Sequence, residues 1–127
     1  FPAPKTYGPE EGHILLVGWG SAQGPLREAV DRARAVGEAV SALNLHYINP
    51  LPNGLEKIFR GFHHVFVVEL NDEGIYGNGQ LGTILRARYC EPRIRSITKT
   101  DGLTWKVKEI LERARNLSLS LREPVAG

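Results

Sequence analysis

The sequence predicts an α/β domain: a mostly parallel sheet with helices on both faces. Three observations carry this. Short apolar runs alternate with amphipathic helical stretches along most of the chain, the arrangement that stacks into layered α/β domains. Two runs, His13 to Gly18 and His64 to Leu70, are nearly continuous in apolar residues rather than alternating, which suits strands buried on both faces. Glycine and proline punctuate the joints between them.

Lys5-Thr6-Tyr7 is placed as an edge strand ahead of the first run. The first strand, His13 to Gly18, closes on a glycine. A helix then begins near Gly24-Pro25, because a proline at the first helical position gives up an N–H that has no partner there. Leu26, Ala29, Val30, Ala33 and Val36 recur at helical spacing, and Gly37 supplies a left-handed stop. Val40 to Ile48 forms the second strand, ended by Asn49-Pro50-Leu51-Pro52-Asn53-Gly54, since proline cannot continue a central strand. Leu55 to Phe62 reads as a short helix or turn, and His64 to Leu70 as the next buried strand. Asn71 to Gly79, with three glycines, is a long loop. Leu81, Ile84, Leu85 and Arg88 mark another helix, and Ile94 and Ile97 a short strand. Asp101 or Thr104 caps the last helix, whose apolar stripe runs through Leu103, Val107, Ile110, Leu111, Ala114 and Leu117. Ser118 to Gly127 is expected to be a frayed, flexible tail.

The 127 residues suit one domain, with 42% apolar and 24% charged residues, values ordinary for a globular core. Sixteen basic against 14 acidic residues leave a net charge of +2, too balanced to point to nucleic acid. The densest basic group, Arg86, Arg88, Arg93 and Arg95, is interrupted by Glu91 and reads as a solvated helix end and loop rather than a docking patch. Cys90 stands alone, so no internal disulfide forms, and a small buried apolar role is the expectation for it. No run reaches the length of a membrane span, and the first residues lack a signal-peptide layout, so a cytoplasmic setting is expected. The absence of methionine and the proline-rich start lead to the expectation of a domain excised from a larger subunit.

The motif nearest to a ligand fingerprint is Gly18-Trp19-Gly20-Ser21-Ala22-Gln23-Gly24, which follows a strand and opens a helix. Glycines there let backbone N–H groups approach a pyrophosphate. The spacing is one residue too long for the dinucleotide fingerprint, and no carboxylate stands at Tyr47-Ile48-Asn49-Pro50 to hold a ribose. A tight strand-to-helix turn is the stronger reading, with Trp19 packing against a neighbouring domain. The four histidines lack further converging ligands and read as structural or exposed, so no metal site and no catalytic residue is assigned. Glu69 ends a buried strand, at the end where ligands and partner domains approach a parallel sheet, and Gln80 opens the next helix.

Four segments then align with one family. They are Val17-Gly18-Trp19-Gly20-Ser21 with Gly24-Pro25; Tyr47-Ile48-Asn49-Pro50-Leu51-Pro52; Glu69-Leu70-Asn71 with Gly79-Gln80-Leu81; and Ile97-Thr98-Lys99 with Asp101-Gly102. Their order and spacing, from about Gly12 to Leu117, resemble the C-terminal domain of the alpha subunit of 2-oxoglutarate-type 2-oxoacid:ferredoxin oxidoreductases. The sequence departs from the family pattern at 72–78, which separates the Glu-Leu-Asn element from Gly-Gln-Leu. The resemblance implies a fold like the C-terminal domain of transketolases, spanning residues 1–117. That fold has three α/β/α layers and a five-stranded, mostly parallel sheet with one antiparallel edge strand. It further implies a non-catalytic assembly domain, with Trp19, Ser21, Glu69, Asn71 and Gln80 as interface candidates. The implied partners are the other alpha-subunit domains, the beta subunit and, through the whole complex, ferredoxin. The implied whole enzyme decarboxylates a 2-oxoacid to an acyl-CoA using thiamine diphosphate, iron–sulfur clusters and CoA, with those cofactors held elsewhere. The competing readings are a stand-alone dinucleotide-binding protein built on the Gly18–Gly24 turn and an independent interaction module.

Overall fold

A computed structural model describes residues 4–19, 23–45, 54–70, 80–89, 93–99 and 106–122. Its elements follow the order β1 (Gly12–Trp19), α1 (Gln23–Ala35), β2 (Val40–Leu45), α2 (Leu55–Arg60), β3 (Phe62–Leu70), α3 (Gln80–Tyr89), β4 (Ile94–Lys99) and α4 (Val107–Arg122). The four strands lie in the order β2-β1-β3-β4, and every neighbouring pair is parallel.

Strand alternation divides the core in two, because successive side chains point to opposite faces. Ile14, Leu16, Phe66 and Val68 point to one face and meet Leu26, Ala29, Val30 and Ala33 of α1 with Ile110, Leu111 and Ala114 of α4. Leu15, Val17, Val65 and Val67 point to the other and meet Leu55 and Phe59 of α2 with Leu85 of α3. The continuous apolar runs thus feed two cores at once. Each such buried side chain contributes about 1.5–3 kcal/mol of hydrophobic burial.

Two glycines act through their backbones. Gly37, at φ 84°, ends α1 as expected, and the Glu38 N–H folds back to the Ala33 carbonyl at 3.0 Å. Gly61 joins α2 to β3, and a Cβ there would lie 2.4 Å from the Glu10 carbonyl oxygen. Gly61→Ala is therefore expected to force two backbone segments apart at a cost of about 1–3 kcal/mol, read as a lowered denaturation midpoint. A loss below about 0.5 kcal/mol, ordinary for an unconstrained surface site, would show that the Glu10 segment yields freely.

Two elements are shaped by contacts between distant residues. Among the described residues the antiparallel edge contact is a single rung: Tyr7 and Ala42 exchange backbone hydrogen bonds of 2.7 and 2.9 Å on the outer edge of β2. The chain turns away on both sides of that rung. Ser41 Oγ donates to the Pro9 carbonyl at 2.6 Å, Thr6 Oγ1 donates to the Gly8 carbonyl at 3.3 Å, and Pro4 has no N–H to extend a ladder. The last helix runs past Leu117 to Arg122, so residues 118–122 are helical. Its last turns are held because Ser118, only 4% exposed, hydrogen-bonds His13 Nε2 at 2.7 Å. Arg115 on the same helix grips the Glu38 carboxylate, with Nε to Oε2 at 2.9 Å. That hydrogen bond holds the guanidinium pKa above its usual high value. The pair is partly solvated and contributes at most about 1 kcal/mol.

Candidate interface at the carboxyl edge of the sheet

Between β1 and β3 the strand order reverses: β2 lies on one side of β1, and β3 with β4 on the other. In open α/β sheets such a reversal leaves a crevice outside the carboxyl ends of the strands, where ligands and partners enter. Trp19 is the last residue of β1 and pairs with Leu45 of β2. On the other side Val17 pairs with Val67, and two further residues bring Trp19 level with Glu69, itself paired with Thr98 of β4. Alternation from Val17 and Val67 sends both side chains towards the α2/α3 face. Extending that register puts two of the predicted interface residues at the ends of adjacent strands, two residues beyond the last paired position.

Trp19 is 55% exposed, although its neighbours along β1 are fully buried. A large indole left in solvent at the end of a buried strand is the chemistry of a docking anchor. Glu69 is half-buried. Gln80 is the first residue of α3, so its backbone lies near the carboxyl edge. Ser21 and Asn71 lie outside the described residues, as do the rest of the Asn71–Gly79 loop and Cys90.

Two members of the basic group have separate partners. Arg93 Nη1 donates to the Phe62 carbonyl at 2.9 Å and pins the start of β3, while the Arg88 guanidinium lies 5.9 Å from the Tyr89 ring centroid. Three histidines, His13, His63 and His64, gather at the opposite, amino edge. His13 meets His64 edge-on at 4.9 Å between ring centroids, and His64 stacks on Phe66 at 5.4 Å. Among the described residues no three His, Cys, Asp or Glu side chains converge to hold a metal ion. No helix among them is long and apolar enough to cross a membrane.

One cluster escaped the sequence reading. Tyr7 donates its hydroxyl to Asp31 at 2.9 Å, and the Arg27 guanidinium lies over the Tyr7 ring, 5.2 Å from its centroid. The bond to Asp31, with some loss of hydration, raises the Tyr7 pKa above its ordinary value. Beside this group opens a cavity of about 240 Å³ whose polar lining comes from Lys5, Tyr7, Gln23, Arg27 and Asn44. No local signal announces it, because its residues come from three separate stretches of chain.

Comparison with known proteins agrees with this architecture. A family model described as pyruvate:ferredoxin oxidoreductase core domain II matches residues 12–110. The chain is 38% identical over 100 residues to 2-oxoglutarate oxidoreductase subunit KorA of Mycobacterium tuberculosis, covering 79% of this chain and 14% of that protein. It is 46% identical over 48 residues to 2-oxoacid:ferredoxin oxidoreductase 1, subunit alpha, of Aeropyrum pernix, covering 38% of this chain and 8% of that one. Among solved structures it superposes on 2-oxoglutarate:ferredoxin oxidoreductase from Magnetococcus marinus, which has 2-oxoglutarate, coenzyme A and succinyl-CoA bound. That match has a TM-score of 0.79 and 26% identity, and covers 93% of this chain and 20% of the other. A split-gene transketolase, an inactive beta4 tetramer, shares the fold alone, with a TM-score of 0.69 at 16% identity over 97% of this chain and 45% of that one.

Proposed function

The chain belongs to the pyruvate:ferredoxin oxidoreductase core domain II family, and from that premise we propose that it is a non-catalytic assembly domain of a 2-oxoacid:ferredoxin oxidoreductase alpha subunit. The observation that carries this reading is Trp19, exposed at the carboxyl edge where the strand order reverses. There the indole would dock against other domains of the alpha subunit or against the beta subunit, with Glu69 beside it to fix the register of the contact. Ser21, Asn71 and Gln80 complete the proposed surface. The chain spans about one-seventh of the length of its Mycobacterium tuberculosis relative, so the chemistry of the whole enzyme rests on parts outside it.

That chemistry would be the oxidative decarboxylation of a 2-oxoacid such as 2-oxoglutarate to an acyl-CoA, with reduction of ferredoxin in the cytoplasm. Thiamine diphosphate and an iron–sulfur cluster would serve it from elsewhere. The residues of this chain do not fit a cluster, which needs about four thiolates, because the sequence holds one cysteine. The domain is read as residues 1–117, with the helical extension to Arg122 packed onto it.

The test is complementation. The isolated chain is expected to give no 2-oxoacid-dependent ferredoxin reduction. Mixed with the alpha subunit lacking this domain and with the beta subunit, it is expected to co-elute and restore turnover. Turnover by the chain alone, or full activity of the enzyme without the domain, would overturn the reading.

A further inference from the structure

We propose that the cavity between the N-terminal segment and α1 is a binding site for a small oxyanion, a phosphoryl group in particular. The cavity exists because the antiparallel ladder stops after one rung. Tyr7 pairs with Ala42, but the next pair along, Lys5 and Asn44, stands apart and lines the opening together with Gln23 and Arg27. No acidic residue lines it among the described residues. Among those residues neither Lys5 nor Arg27 has a carboxylate partner. The nearby acids are occupied, Asp31 by the Tyr7 hydroxyl and Glu28 by Arg32 at 2.8 Å.

Two cations facing one opening whose lining holds no carboxylate define the ligand. A phosphoryl group carries between one and two negative charges near neutral pH, which matches Lys5 and Arg27 together, whereas a carboxylate carries one. Arg27 is held in place for the task. The Tyr7 ring supports its guanidinium at 5.2 Å, and Asp31 anchors that ring, which leaves the guanidinium edge to donate. The Gln23 side chain supplies a neutral donor at the rim. A volume of about 240 Å³ holds a phosphoryl group with its water but falls below the roughly 300–1,000 Å³ of sites that enclose a whole drug-sized ligand. The site therefore grips a head group while the rest of the molecule lies outside. It opens on the α1 face of the sheet, whereas Trp19 ends β1 beside Leu45, the neighbour of Asn44, and phosphate binding by the isolated chain reads the site apart from assembly.

The probe is inorganic phosphate, titrated into the ¹⁵N-labelled chain at pH 7 and constant ionic strength. Saturable amide shifts are expected at Lys5, Tyr7, Arg27 and Asn44, with none from sodium chloride and a weaker response to acetate. Lys5→Ala and Arg27→Gln should each weaken phosphate binding about tenfold, the loss of one charge-assisted hydrogen bond. Lys5 lies on the surface segment, so Lys5→Ala tests the site even if the Arg27 variant folds poorly. Shifts that chloride reproduces, equal binding of acetate, or unchanged affinity in Lys5→Ala would each overturn the proposal.

Discussion

Phe66→Ala is expected to remove about 3–5 kcal/mol of stability, the range for truncating a fully buried phenylalanine. Phe66 sits at the middle of β3, paired with Leu16 on one side and Arg95 on the other. Its ring enters the core shared by α1 and α4, with His64 stacked on it at an interplanar angle of 21°. No neighbouring side chain can close the void, since both adjacent strands are fixed by their ladders. A domain of this size has roughly 5–15 kcal/mol in total, so the variant stands near the edge of folding. Urea unfolding followed by circular dichroism measures the loss. Val36→Ala, at a side chain 70% exposed, serves as the control and should change stability by less than about 0.5 kcal/mol. A loss below about 1 kcal/mol for Phe66→Ala would mean that the α1/α4 face is loosely packed.

Trp19→Ala should have the opposite profile. The isolated chain should keep its unfolding midpoint, because the indole is already 55% exposed. In the full-length subunit the same change should weaken association by about 2 kcal/mol or more, near thirtyfold, the scale of an aromatic anchor in a desolvated interface. Sedimentation of the assembled enzyme reads this directly. Trp19→Phe should recover most of the affinity, because it keeps the apolar face and loses only the indole N–H. An enzyme that assembles equally well with alanine at position 19 would remove the carboxyl edge from the interface.

The two variants also divide what could be read from the chain. Phe66 lies in a run of apolar residues too continuous for a one-sided strand, so its burial was legible from neighbours alone. Trp19 was legible from its turn, where an indole between two glycines has little local packing to serve. Glu69 was picked out by its place at a strand end, but its adjacency to Trp19 was not, because register between β1 and β3 depends on both strands. The extent of α4 was not legible, for a different cause. The apolar stripe of α4 ends at Leu117, and Ser118 looks like a solvent residue until its partner is known.

The sequence by itself determined the strands, the helices, their parallel arrangement and the family, because these follow from local period, punctuation and motif order. The tertiary structure alone decided three things: where the antiparallel edge contact falls among the described residues, that α4 continues to Arg122, and that a cationic cavity opens beside Tyr7. Each depends on contacts between residues far apart in the chain: Tyr7 with Ala42, His13 with Ser118 across 105 positions, and Tyr7 with Asp31 across 24. Hydrophobic period is a property of neighbours and survives in a one-dimensional string. A hydrogen bond or a cavity is a property of distance in space, and it exists only once the sheet has brought those residues together.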